Sequence, residues 1–297
     1  MKKRIIITTL FILALLIGIF SVIPINKNYD NKPWMSNLPD DKLISEMSIP
    51  GTHDSGATHS IFDVSGKCQE LSIESQLKIG VRFFDIRLQL DNNSLKVVHS
   101  FVDQKLLFSK VMYEINSYVK ENKSEFIIIS IKEEAESKNS IISFYNKLID
   151  DLKKYDCVVL DNKLPKSLGE ARGNIYILNR FSSSTEGIPA YDGWRDSTTF
   201  QIGNLYIQDN YCIDNIEVKK EDIINTIKYS NQKNGDTILN YTSCYLDYGF
   251  PPTYAVTSAK EINKWLTHYL SNSEEVLGIF IVDFITEEIS HLIYMRN

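Results

Sequence analysis

His53, Asp54, Asp85, Arg87 and His99 gather two of the five histidines, an arginine and two carboxylates into one short stretch of the chain. An imidazole titrates near neutral pH, so one histidine can take a proton while a second gives one. A guanidinium between them can fork onto two oxygens of a phosphoryl group and neutralise charge that gathers there. Two histidines flanking an arginine therefore suit cleavage of a phosphodiester by an internal hydroxyl. The two imidazoles need opposite protonation states, and a carboxylate partner raises a histidine pKa and fixes its tautomer. Asp54 and Asp283 are candidates for that duty.

Local patterns indicate how these groups are held. In Ser48-Ile49-Pro50-Gly51-Thr52-His53-Asp54-Ser55 the Pro-Gly pair predicts a turn that would aim His53 into a cleft. Phe84, Ile86, Leu88 and Leu90 alternate with Asp85, Arg87 and Gln89, which predicts a strand with Asp85 and Arg87 on one face. Asp91-Asn92-Asn93-Ser94 reads as a polar turn, and Leu95 to Val98 as the next strand, ending at His99.

These motifs resemble the bacterial phosphatidylinositol-specific phospholipase C family. The resemblance runs from about Trp34 to the C-terminus, with its strongest motifs no later than Glu134. It implies that His53 is the general base on the inositol 2-hydroxyl with Asp283 on its other nitrogen. His99 would be the general acid assisted by Asp54, Arg87 would bind phosphate, and Asp85 would support the constellation. The products would be inositol 1,2-cyclic phosphate and diacylglycerol. Lys132, Glu134, Arg180, Asp209 and Tyr211 follow apolar runs and would serve the inositol headgroup. One departure is Ser100, where the family usually has glycine after its second histidine. Arg87 stands where a cation would otherwise face the phosphate. The resemblance is thus to the metal-independent branch, with no metal or other cofactor and with activity expected in excess chelator.

Apolar runs at Phe126 to Ile131, Ile175 to Leu178, Leu205 to Gln208 and Leu277 to Val282 predict strands covered on both faces. Helical spacing appears at Val111, Met112, Ile115 and Val119, at Ile141, Ile142, Tyr145 and Leu148, at Ile223, Ile224 and Ile227, and at Ile262, Trp265, Leu266 and Tyr269. Alternating strands and helices predict an α/β fold with a parallel-type sheet, and polar residues at strand exits suit the C-terminal mouth of a (β/α) barrel. The family fold is a distorted, incompletely closed TIM-like barrel, and Ser182 to Gly203 is irregular enough to fit imperfect repeats.

The chain of 297 residues shows no linker or repeat, so residues 34–297 are expected to form a single catalytic domain. Residues 1–25 open with Lys2-Lys3-Arg4 and continue apolar, as an export signal or an N-terminal membrane anchor would. Residues 26–33 are a polar tether. The catalytic part is therefore expected outside the cytoplasm, secreted or held at the outer face of the membrane. A net charge of -6 disfavours nucleic acid and offers no polybasic route to anionic lipid. The expected partner is phosphatidylinositol in a membrane surface, met by a monomer. Tyr245, Tyr248 and Phe250 lie in an aromatic, proline-containing loop suited to a lipid boundary. Cys68, Cys157, Cys212 and Cys244 have neither metal-ligand nor framework spacing, and a Cys212–Cys244 bridge is the one pairing expected. Related phosphodiesterases acting on glycosylphosphatidylinositol anchors or other glycerophosphodiesters, and a noncatalytic headgroup-binding module, are the competing readings.

Overall fold

A computed structural model describes residues 33–60, 66–100, 102–246, 255–274 and 276–297. The N-terminal segment, Tyr248 and Phe250 lie outside the described residues. Asn31–Asn297 form one compact unit. Among the described residues no helix is long and apolar enough to cross a membrane.

The strands are β1 (Ser48–Thr52), β2 (Phe83–Asp91), β3 (Ser94–His99), β4 (Val102–Leu107), β5 (Ile127–Glu133), β6 (Val158–Val159) and β7 (Ile175–Arg180). They continue with β8 (Ile188–Pro189), β9 (Thr198–Ile202), β10 (Leu205–Asp209), β11 (Cys212–Ile213), β12 (Thr237–Tyr241), β13 (Tyr245–Leu246) and β14 (Gly278–Val282). The main sheet runs β6-β7-β5-β2-β1-β14-β12-β10-β9. Every neighbouring pair from β6 to β10 is parallel and β9 joins antiparallel, while off this path β3 pairs antiparallel with β2 and with β4. The described edges β6 and β9 do not pair with each other, so the curled sheet is an incompletely closed barrel.

Side-chain parity explains why this barrel carries a site. Along a strand, alternate residues share a face. Ile49, Phe83, Ile128, Leu178, Ile207, Tyr241 and Ile281 pack together inside the sheet. Further along on the same face of their strands, His53, Arg87, Lys132, Arg180, Asp209, Ser243 and Asp283 line a common cavity. The inward face thus changes from apolar to polar between the entry and the exit of each strand. The outward residues Phe84, Ile86, Ile129, Ile177, Phe280 and Val282 join the core beneath the helices.

The helices cover that outer core where apolar spacing predicts them. Helix Phe108–Glu121 buries Val111, Met112, Ile115 and Val119. Helix Ala255–Asn272 buries Ile262 and Leu266. Helix Phe144–Leu152 starts later than its apolar pattern, because Ser143 caps it by accepting from Asn146 N, and Ile141 is left exposed.

Pro50-Gly51 does not form the expected turn. Both residues lie inside β1, which is fully buried. Pro50 O accepts from Arg82 N at 2.9 Å. The missing N–H would point the same way, toward residues before Phe83, where the β1–β2 ladder has not begun. Gly51 is there for space, since a Cβ would meet Phe83 Cβ at 2.9 Å and Phe280 O at 3.2 Å. The turn comes after the pair, at residues 53–56.

Candidate active site

The turn after β1 is clamped from both neighbouring strands. His53 N donates to Val282 O at 3.2 Å, and Ser55 N donates to Asp85 O at 2.8 Å. Ser55 Oγ accepts from Asp85 N at 2.8 Å. The buried Gln69 side chain donates to His53 O and Val282 O, and Gln76 donates to Ser55 O at 2.8 Å. Asp54, Ser100 and Phe284 adopt positive φ (42°, 54° and 49°), a conformation that costs ordinary residues about 1–2 kcal/mol. Each adjoins a polar group of the site, where local strain is commonly stored. Ser100 holds by strain the backbone that glycine adopts freely.

Asp283 Oδ1 lies 2.8 Å from His53 Nδ1. Arg87 Nη2 donates toward His53 Nε2 at 2.8 Å. With an obligate donor on Nε2, the proton belongs on Nδ1, and the Nε2 lone pair accepts from Arg87. Burial pulls the His53 pKa down, but the Asp283 and Asp54 carboxylates outweigh burial and Arg87, so the net shift is upward from 6.5.

Asp54 Oδ2 sits 3.5 Å from His53 Nε2 and 3.6 Å from His99 Nε2, within ion-pair reach of both imidazoles and hydrogen-bonded to neither. Its other oxygen is 3.2 Å from Arg87 Nε. Burial raises the Asp54 pKa despite Arg87 and both histidines. The His99 half is more loosely made: neither Asp54 Oδ2 nor His99 Nδ1 has a hydrogen-bond partner. Catalytic contacts of this kind commonly tighten only around substrate.

Asp85 is fully buried and holds two arginines. It lies 3.2 Å from Arg87 and 3.3 Å from Arg180, and it accepts from Ser130 Oγ at 3.2 Å. Burial opposes its charge, but the two guanidinium groups win and hold its carboxyl far below the usual carboxylate range. Glu134 is 3.6 Å from Arg87 and 2.8 Å from Lys132, and these cations lower its pKa against the effect of burial.

On the opposite side the expected Arg180, Asp209 and Tyr211 are joined by Trp194, Tyr241 and Lys219, which the sequence pattern does not mark. Trp194 stacks its ring 3.5 Å from the Arg180 guanidinium and donates Nε1–H to Asp209 at 3.2 Å. Tyr241 is fully buried, faces the His53 ring edge-on and accepts from Arg180 at 3.4 Å. Lys219 is buried and donates to Gln208 Oε1 at 2.9 Å and Asn210 O at 2.7 Å, which fixes the chain on either side of Asp209. Tyr211 donates its hydroxyl to Asp196. The cavity has a volume of about 910 Å³. His53, Arg87, His99, Lys132, Glu134, Arg180, Asp209, Tyr211, Tyr245 and Asp283 all line it, while Asp54 and Asp85 lie buried behind Arg87. Tyr191 and Tyr245 also line it and are solvent-exposed.

The expected Cys212–Cys244 bridge does not form, since Cys244 is a buried thiol whose pKa burial pushes up to about 11. Among the described residues two side-chain groups have metal-ligand proximity: His53, Cys68 and Asp283, and Asp54, Cys68 and His99, with the ligand atoms of each within 4.8 Å of one another. Neither is a cage of several oxygens of the kind calcium needs.

Residues 44–180, which include most of these groups, match the family described as phosphatidylinositol-specific phospholipase C, X domain. Over 270 residues the chain is 28% identical to a 1-phosphatidylinositol phosphodiesterase of Listeria monocytogenes, covering 88% of this chain and 83% of that protein. Residues 44–180 thus carry the phosphatidylinositol-specific phospholipase C X-domain pattern, and most of the chain is similar to bacterial phosphatidylinositol-specific phospholipases C. A 1-phosphatidylinositol phosphodiesterase of Staphylococcus aureus is 27% identical over 279 residues, with 84% and 87% of the two chains covered. A solved Staphylococcus aureus phosphatidylinositol-specific phospholipase C superposes with a TM-score of 0.78 at 26% identity, covering 90% of this chain and 97% of that one. The X-domain match ends at Arg180, and Asp209, Tyr211 and Asp283 lie beyond it, around the same cavity.

Proposed function

We propose that the protein cleaves phosphatidylinositol by intramolecular transfer, yielding inositol 1,2-cyclic phosphate and diacylglycerol. The observation that carries this reading is the pair of imidazoles within 3.6 Å of one Asp54 oxygen, with Arg87 on the same carboxylate. The Nε2 lone pair of His53 takes the proton of the inositol 2-hydroxyl. That oxygen bonds to phosphorus as the bond from phosphorus to the glycerol oxygen breaks. His99, assisted by Asp54, gives its proton to the departing alkoxide. Arg87 already points an N–H at His53 Nε2, so substrate phosphate draws this guanidinium onto itself and frees the base. Arg180, Lys132, Glu134, Asp209 and Tyr211 offer donors and acceptors to the inositol hydroxyls. Charge neutralisation by Arg87 makes a catalytic metal unnecessary, so activity persists in excess chelator.

Tyr191 and Tyr245, exposed at the cavity, suit the membrane surface from which a lipid substrate is drawn, together with Tyr248 and Phe250. The basic start and apolar run of residues 1–25 support export of the catalytic unit. Substituting either histidine tests the chemistry. His53→Ala and His99→Ala should each lower kcat on phosphatidylinositol micelles by about 10²–10⁴ with chelator present. A His53→Ala protein that turns over at the parental rate removes the general base from the scheme.

A further inference from the structure

Cys68 is fully buried, yet its side chain reaches the floor of the cavity. Its backbone is tied on both sides, with Cys68 N donating to Ala57 O at 2.9 Å and Phe284 N donating to Cys68 O at 2.7 Å. These bonds fix the thiol between the turn that carries Asp54 and the exit of β14. The proposed mechanism gives the thiol no task. Sγ, a carboxylate oxygen of Asp54 and a ring nitrogen of His99 lie within 4.8 Å of one another. The second sign of a ligand is Asp54 Oδ2, which belongs to a side chain only 2% exposed and has no hydrogen-bond partner. A buried acceptor left so carries a desolvation penalty that a cation would relieve.

We propose that the catalytic cavity contains an inhibitory site for a thiophilic divalent cation such as Zn²⁺, formed by Cys68, Asp54 and His99. Thiolate, carboxylate and imidazole are the donor set of tetrahedral Zn²⁺ sites that keep one position open. Bonds of about 2.0–2.3 Å require ligands roughly 3.5 Å apart, so the cluster closes with shifts of about 1 Å. The thiol proton leaves to solvent on binding, and thiolate and carboxylate together cancel the dication beside Arg87. A single thiolate selects Zn²⁺ or Cd²⁺ over Mg²⁺ and Ca²⁺, which need more oxygen donors. Occupation takes His99 and Asp54 out of proton transfer, so the ion stops turnover at the leaving-group step. The site rests on reading this cavity as catalytic, but its occupancy can be read without turnover.

The test uses the full protein with Cd²⁺ as a spectroscopic probe and Zn²⁺ as the inhibitor. Cd²⁺ titration should raise a thiolate-to-metal charge-transfer band in the ultraviolet that Cys68→Ser and Cys68→Ala both abolish. His99→Ala should weaken the affinity read from that band about 10–100-fold. Zn²⁺, but not Ca²⁺ or Mg²⁺, should inhibit phosphatidylinositol cleavage reversibly by chelator, and Cys68→Ser should retain metal-free activity while needing about 100-fold more Zn²⁺ for the same inhibition. No band, a band that survives in Cys68→Ser, or equal Zn²⁺ sensitivity of parent and Cys68→Ser overturns the site. A Cys68-dependent band on a protein with no phosphatidylinositol cleavage in chelator would sink the enzymatic reading and the inhibitory role while keeping the metal site.

Discussion

Asp283→Asn separates a base held in one tautomer from a histidine that merely lines a cavity. Asp283 lies 2.8 Å from His53 Nδ1 and is 2% exposed, so no water replaces it there. An amide in its place can donate to Nδ1 and move the ring proton to Nε2, which puts the lone pair on the wrong nitrogen. Comparable loss of an orienting carboxylate in a hydrolytic triad costs about 10⁴ in rate. We expect kcat/KM to fall by about 10³–10⁴, or about 4–5.5 kcal/mol in the barrier. The pH profile adds a sign. His53 acts as base only when neutral, and its folded pKa is raised above 6.5, so the parental acid limb lies above that value. Burial is the largest influence and pulls downward, Arg87 does the same, and Asp283 is the foremost group pulling upward. Removing its charge moves the acid limb to lower pH. The assay is kcat/KM on a soluble inositol phosphodiester across the pH range in chelator, with thermal melting as a check on folding. A loss below tenfold together with an unmoved acid limb would refute the assignment of Asp283 to His53.

Two further predictions concern the backbone. Ser100→Gly should stabilise the protein by about 0.5–1 kcal/mol in urea titration, since relief of the left-handed conformation (φ 54°) exceeds the entropy glycine adds to the unfolded chain; a loss of stability would mean that the Ser100 side chain makes compensating contacts. Gly51→Ala should destabilise by about 1–3 kcal/mol, because the added methyl meets Phe83 Cβ at 2.9 Å between two tightly paired strands; an unchanged urea midpoint would contradict the packing argument.

How much of this was legible depended on whether the signal was local. Alternation along Phe83–Asp91 placed Asp85 and Arg87 on one face, and the structure shows that face turned inward. Apolar runs ending in Lys132, Arg180, Asp209 and Asp283 marked strand exits, since a buried strand must meet solvent at its mouth. The Pro50-Gly51 pair misled because its meaning is set by neighbours distant in sequence: the late start of β2 excuses the proline, and Phe83 demands the glycine. Trp194 was hidden in an irregular segment, and its role lies in contacts with Arg180 and Asp209. Cys68, Tyr241 and Lys219 carry no local motif at all. β12 (Thr237–Tyr241) and β9 were missed because each is a short strand with polar residues among apolar ones.

The most direct measurement is phosphorus NMR of the water-soluble product released from phosphatidylinositol with excess chelator present. Two imidazoles working across one guanidinium should yield the five-membered cyclic phosphate first, with the open monoester appearing only later. A monoester as the first product, or no product until calcium is added, would contradict that chemistry.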